Sequence, residues 1–297
     1  MRTDSSTIPA RGRFRHFLIA VAFGLTASLA TAPLHTAAAD SNAATAVATA
    51  TVELPNSDGH GLLAKPPPFT VAEGAAMFIE GKGACDSECV TPFGELLGIA
   101  DGARGISNCR SICIRPEYSF LDLTTGEVTV HDGDPKDENL HYIGLTYQCV
   151  EYARKWWMKN LGITFGSIDS AHEIIYLSEG TDIRTKASFP LARSINGTAK
   201  RAPRRGDLVV YYPDRDIPEW RHGHVAVVVS VDEEQGVVSV AEENYDNDPW
   251  QDPKAFARQI SLFGINGRYT LLDVPPDGTE NAGGGRISGW IYPVVSQ

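Results

Sequence analysis

The stretch Thr146-Tyr147-Gln148-Cys149-Val150-Glu151-Tyr152-Ala153-Arg154-Lys155-Trp156-Trp157 decides how this chain is read. Val150, Ala153, Trp157 and Leu161 recur at helical spacing and Gly162 is a natural stop, so the pattern predicts a helix with Cys149 in its first turn. A thiol there faces backbone N–H groups that lack helical partners and the positive end of the helix dipole. Both favour the thiolate, which is the nucleophilic form. Position alone leaves a second reading open, a buried structural thiol, because free cysteine is among the most buried residue types.

Downstream residues weigh on that choice. His224 opens the apolar run Gly223-His224-Val225-Ala226-Val227-Val228-Val229-Ser230-Val231, which reads as a strand. Gly223 leaves space beside the imidazole, and His222, two residues earlier, is expected on the same strand face without by itself making a metal site. In Val237-Val238-Ser239-Val240-Ala241-Glu242-Glu243-Asn244 alternate residues share a face, so Val238, Val240 and Glu242 point together. If the valines face the core, Glu242 is a carboxylate at the edge of an apolar surface and needs a partner. An imidazole on the neighbouring strand would serve. Cysteine, histidine and carboxylate in that order form the nucleophile, base and orienter of a thiol hydrolase. The bland alternative keeps both glutamates in a solvated turn.

Five cysteines stand in the chain. Cys85, Cys89, Cys109 and Cys113 fall into two Cys-x-x-x-Cys pairs and Cys149 stands alone. Two disulfides plus one free thiol fit an oxidising compartment, with three connectivities open. A four-cysteine zinc site is the lower-ranked alternative. Residues 1–39 read as a signal peptide, with basic Arg11 to Arg15, an uncharged apolar run from Phe17 to Ala32 and small residues ending Ala37-Ala38-Ala39. The expected location is therefore secreted, periplasmic or lumenal, with an uncleaved anchor as the alternative. Asn196-Gly197-Thr198 is a sequon, so Asn196 is a candidate glycosylation site.

The formal net charge is −11 over 297 residues. That balance disfavours a nucleic-acid partner and an anionic membrane surface. Residues 40–75, rich in Ala and Thr and including Pro66-Pro67-Pro68, read as a linker or disordered stalk. Val71 to Ile79 is an apolar patch, helix or strand. Cys85 to Cys113 is Gly-rich and reads as loop; Tyr118 to Val130 alternates like a strand pair around Thr124-Thr125-Gly126. Asp132 to Asn139 reads as a solvated acidic loop. A second helix is expected from about Ser170 to Leu177, with Ser170 and Glu173 at capping-box spacing. Leu208 to Tyr212, Gly236 to Asn244 and Tyr269 to Leu272 complete the strands. Helices first and antiparallel strands afterwards mean an α+β fold.

Taken together, Tyr147 to Arg154, Gly206-Asp207-Leu208-Val209-Val210, Gly223 to Val228 and Val240-Ala241-Glu242-Glu243-Asn244 resemble the CHAP family of cysteine amidases and peptidases. The likeness is nearest to the amidase half of glutathionylspermidine and trypanothione synthetases. It extends upstream to Pro92-Phe93-Gly94-Glu95-Leu96-Leu97-Gly98 and downstream to Ser288-Gly289-Trp290-Ile291, so core motifs span 91–292 within a domain drawn at 76–297. The resemblance implies a papain-like (CHAP/NlpC-type) α+β fold, with N-terminal helices packed on an antiparallel sheet. It implies Cys149 as nucleophile, His224 as base and Glu242 as third member. Gln148, Arg154 and Asn244 match positions that line or support the site, the oxyanion meeting the Cys149 N–H and a donor before it. It implies hydrolysis of an amide and neither cofactor nor metal.

Against those relatives, these 297 residues hold no stretch that reads as a synthetase half, so ligation is not expected, and they add the expected export signal and four extra cysteines. The expected substrate is therefore either a peptidoglycan peptide, cut by an amidase or a D-alanyl-glycyl endopeptidase, or a glutathionylspermidine-like conjugate. A non-catalytic secreted binding module on the same scaffold is the alternative from another class.

Overall fold

The computed structural model describes residues 65–274 and 285–294. The signal reading at 1–39 and most of the stalk lie outside these residues. Helix α1 (Val71–Ala84) is launched by a capping box. Thr70 Oγ1 accepts from the Glu73 N–H at 3.3 Å, and Glu73 Oε2 accepts from the Thr70 N–H at 2.6 Å, which satisfies two first-turn donors reciprocally. The helix begins inside the stretch 40–75 assigned to a stalk, so ordered structure starts earlier than composition implies. Alanine and glycine carry little amphipathic signal, and the cap does the work instead.

Beyond α1 the four cysteines pair as Cys85–Cys113 and Cys89–Cys109, one bridge nested within the other. This resolves the connectivity and removes the zinc alternative, since every one of those sulfurs is in a bridge. The span they enclose is not all loop. Strands β1 (Leu96–Ala100) and β2 (Ala103–Ile106) form an antiparallel hairpin. Its glycines seat an aromatic ring: a Cβ on Gly98 or Gly105 would lie 2.4 or 2.3 Å from Trp250 ring carbons. Composition reads such glycines as loop because their reason is a neighbour far along the chain.

Strands β3 (Tyr118–Asp122), β4 (Val128–His131) and β5 (Leu140–Leu145) make a three-stranded antiparallel sheet in the order β4-β3-β5, and the expected turn at Thr124-Thr125-Gly126 joins the first two. Helix α2 (Cys149–Leu161) follows and ends on Gly162 at φ 69°. It is buried at Cys149 and at every position from Glu151 to Met158. Val150 is only half-buried and Leu161 is 41% exposed. The inward face is therefore Cys149, Tyr152, Ala153, Trp156 and Trp157 rather than the stripe that spacing alone suggests. A helix covered all round loses its amphipathic signature.

Nine further strands, β6 (Ile163–Thr164), β7 (Glu179–Asp182), β8 (Ser188–Ile195), β9 (Leu208–Tyr211), β10 (His224–Asp232), β11 (Val237–Ala241), β12 (Arg258–Ile265), β13 (Arg268–Leu272) and β14 (Ile287–Pro293), form one sheet. Its order is β13-β12-β11-β10-β9-β14-β8-β7-β6, and each pairing is antiparallel. Leu208, Val210, Val225, Val227 and Ile291 face α2 and its two tryptophans. Val209, Ala226, Val228, Val240, Ile260 and Trp290 form a second core on the other face. Covering on both faces explains why β9 and β10 read as unbroken apolar runs. Each buried large side chain contributes about 1.5–3 kcal/mol.

Two expectations change. Five strands precede α2, so the order is not helices first; and α1 leans on the disulfide segment, where Ile114 N–H donates to Gly81 O at 3.2 Å. The expected helix near Ser170 is a 3-10 turn, Ala171–Tyr176, without a capping box: the Ser170 hydroxyl bonds His222 Nδ1 at 2.8 Å, and Glu173 accepts from the Asp169 N–H. Among the described residues no helix is long and apolar enough to cross a membrane.

Candidate active site

Cys149 is the first residue of α2, His224 the first of β10, and Glu242 the residue just after β11. The strand expected to run to Asn244 stops at Ala241, because Asn244 turns the chain at φ 59°. Pairing of Val227 with Ala241 brings Glu242 level with the start of β10, and Val240 pairs with Arg258 on the other side. Glu242 is thus a diagonal neighbour of His224 on one strand and of Arg258 on the next, within side-chain reach. His224 Nε2 and Glu242 Oε2 are 2.7 Å apart. Cys149 lines the same cleft as His224, and its side chain helps to favour the imidazolium. The three residues named from sequence therefore meet.

The turn into His224 depends on Gly223. Its φ is 66°, and a Cβ there would lie 2.5 Å from Tyr211 O. His222 sits in that turn and not on the strand, so the two imidazoles do not share a strand face. The rings of Tyr211, Trp220 and Tyr245 surround His224 at 5.5, 6.3 and 5.2 Å. Burial among them disfavours the imidazolium. Hydrogen bonds and charge from Cys149 and Glu242 outweigh it and raise His224 to about 9. Burial also pushes Glu242 up, but Arg258 and His224 reverse this and hold the carboxyl below its ordinary range.

Arg258 was not named from sequence. Its guanidinium donates from Nε to Glu242 Oε1 and from Nη1 to Asp273 Oδ1, both at 2.5 Å, and from Nη2 to the Tyr211 hydroxyl at 3.0 Å. A signal existed: Arg258, Ile260 and Leu262 alternate on the buried face of β12, and a charge on a face shared with Ile and Leu requires a buried counter-charge.

Gln148, Asn244 and a third amide, Asn108, close a ring beside the cysteine. Gln148 Nε2 donates to Cys113 O at 2.9 Å; Asn244 Nδ2 donates to Gln148 Oε1 at 2.6 Å. Asn108 Nδ2 donates to both Asn244 Oδ1 at 2.8 Å and Cys113 O at 3.1 Å. A backbone carbonyl can only accept, so it dictates the orientation of all three carboxamides. Each of Gln148 and Asn244 keeps one N–H outside the ring.

Arg154 is 4% exposed and lines the same cleft. It donates to Ile143 O and Gly166 O and lies over Phe165, with no carboxylate in salt-bridge reach among the described residues. Burial lowers it to about 10. A second buried charge group lies under the site: Lys155 Nζ reaches Glu151 at 3.1 Å and Glu243 at 2.8 Å. Asn196 is committed elsewhere. Its carboxamide donates to Leu271 O and accepts from the Leu271 N–H, so the sequon's acceptor nitrogen is already engaged within the fold. The cleft that holds Cys149, His224, Gln148 and Arg154 has a volume of about 190 Å³.

Residues 140–244 match the family model described as the CHAP domain. The chain carries a CHAP domain. Cys149, His224, Glu242 and Asn244 all fall within it, whereas Asn108, the disulfides, Arg258 and Asp273 lie outside. The CHAP-bearing chain is 30% identical over 200 residues to a bifunctional glutathionylspermidine synthetase/amidase of Escherichia coli (strain K12), which covers 67% of this chain and 29% of that protein. It is 28% identical over 191 residues to trypanothione synthetase of Crithidia fasciculata, covering 64% of this chain and 26% of that protein. The chain thus spans under a third of those relatives' length. The crystal structure of Ly7917 aligns over 50% of this chain and 54% of its own at 15% identity and a TM-score of 0.24.

Proposed function

We propose that this CHAP protein is an exported cysteine amidase or peptidase with a papain-like arrangement, acting through Cys149, His224 and Glu242. The observation that carries the reading is one imidazole 2.7 Å from a buried carboxylate in the cleft that Cys149 also lines. The Cys149 sulfur attacks the amide carbonyl carbon, its proton resting on His224. The carbonyl oxygen takes the charge and meets first-turn N–H groups of α2, which no helical carbonyl reaches. His224 then gives its proton to the departing amine, the C–N bond breaks and an acyl-thioester remains. Water, deprotonated by His224, attacks the thioester; the acid leaves and the thiol is restored. Glu242, fixed by Arg258, holds the imidazole with Nε2 toward it.

Two substrate classes follow. The relatives' names point to a peptide–polyamine amide of the glutathionylspermidine kind. The paired disulfides suit an oxidising compartment and therefore a peptidoglycan peptide. The test incubates residues 40–297, kept oxidised, with glutathionylspermidine and with purified peptidoglycan and reads products by mass spectrometry. One class is expected to be cleaved, with turnover lowered at least about 10³-fold in Cys149→Ala. Undiminished turnover in that variant, or cleavage of neither substrate with Cys149 inert to iodoacetamide, would move the chain to the binding-module reading.

A further inference from the structure

We propose that Asn108 is a positioning residue for this site, and that the disulfide-stapled segment exists in part to hold it there. The proposal rests on the amidase reading above, deepening it beyond the CHAP match, which begins at residue 140. Asn108 is fully buried and spends both amide hydrogens inside the ring, one on Asn244 and one on Cys113 O. Gln148 and Asn244 each spend one and so keep one hydrogen for the cleft they line beside Cys149. Removing Asn108 frees Asn244 to rotate, and with it the acceptor that fixes Gln148.

Asn108 is itself held on every side by the cysteine segment. Its neighbour Cys109 is bridged to Cys89, and the carbonyl it shares with Gln148 belongs to Cys113, bridged to Cys85 at the end of α1. Its backbone N–H donates to Asn247 Oδ1 at 3.1 Å, and Ser111 Oγ donates to Tyr245 O at 2.9 Å. These bonds tie the segment to the loop that follows Glu242. The two bridges thus fix the spacing between Cys113 O, Asn108 and the Asn244 turn. Asn108 Oδ1 is buried without a partner, an arrangement that costs stability.

The variant Asn108→Asp keeps shape and volume but turns both donors into acceptors facing acceptors. Two readouts are taken on oxidised protein, beside the double variant Cys85→Ser/Cys113→Ser. The first is kcat per Cys149 thiol titrated with iodoacetamide, on whichever of glutathionylspermidine or peptidoglycan the parent cleaves. The second is hydrogen-exchange protection of the Gln148 side-chain amide by NMR, assigned through its loss in Gln148→Glu. Asn108→Asp is expected to lower kcat per titrated thiol about 10- to 100-fold with KM within a few-fold and to abolish the amide protection, and the bridge variant to move both in the same direction. A merely structural role would lower the titratable fraction and leave kcat per thiol unchanged. Unchanged kcat per thiol with intact Gln148 protection overturns the proposal while the amidase reading stands. If the parent cleaves neither substrate and Cys149 is inert to iodoacetamide, that reading fails separately, and the Gln148 protection alone decides whether Asn108 positions it.

Discussion

At the scale of single residues, the site turns on how many partners each titrating group has. His224 is raised to about 9 because hydrogen bonds and charge from Cys149 and Glu242 outweigh its burial. Below that pH the imidazolium can give its proton to the leaving amine; above it the proton is gone. The alkaline limb of kcat/KM is therefore expected near pH 9. Glu242→Gln removes the carboxylate that favours the imidazolium, so it should move that limb toward lower pH and reduce kcat. A pH–rate profile of both proteins checks this, and an unmoved limb would count against Glu242 as the imidazole's orienter. The meeting of Cys149, His224 and Glu242 was legible only in combination, since a first helical turn, a strand entry beside glycine and the edge of an apolar face each admit a bland role alone. Asn108 was not legible. Nothing local marks an asparagine whose partners, Gln148, Asn244 and a carbonyl, are brought together only by two bridges.

Elements were legible where one partner explains them. The alternation of β3 and β4 and the apolar runs of β9 and β10 appear at their expected places. Helix α2 was found, yet its inward face was misjudged, since three layers cover it and polar residues are buried as well. Among these, Glu151, Lys155 and Glu243 tie the helix to the loop carrying Glu242. Burial, with the charge of Glu151 added, pushes the Glu243 carboxyl well up. Lys155→Met would leave Glu151 without its cation in the interior. Such losses cost about 3–5 kcal/mol, to be read as a lowered urea midpoint. The double variant Lys155→Met/Glu151→Gln should recover much of that loss; no recovery would mean that packing, not charge, sets the cost.

For the whole molecule, two histidines two residues apart set opposite limbs of stability against pH. His224 holds its proton more tightly when folded, about 9 against an ordinary 6.5. Its contribution is fully present below about 6.5 and is lost as pH rises through 9, on the order of 3 kcal/mol in all. His222 is the reverse: burial, then the charge of Arg221, lowers it to about 4. The unfolded chain takes up that proton first, so stability falls as pH drops from about 6.5 toward 4. Urea midpoints are expected to peak between these ranges, and His222→Asn should flatten the acid side alone. A midpoint still rising above pH 8 would refute the His224 assignment.

The nested bridges also bear on how the protein is made. Both pairings are local, 28 and 20 residues apart, and both close entirely upstream of Cys149. A chain that emerges from its N-terminus presents those four thiols before the fifth exists. In an oxidising compartment the four could pair among themselves while Cys149 is not yet present to compete. Sequence order thus lowers the number of partners that could capture Cys149 in a mixed bridge.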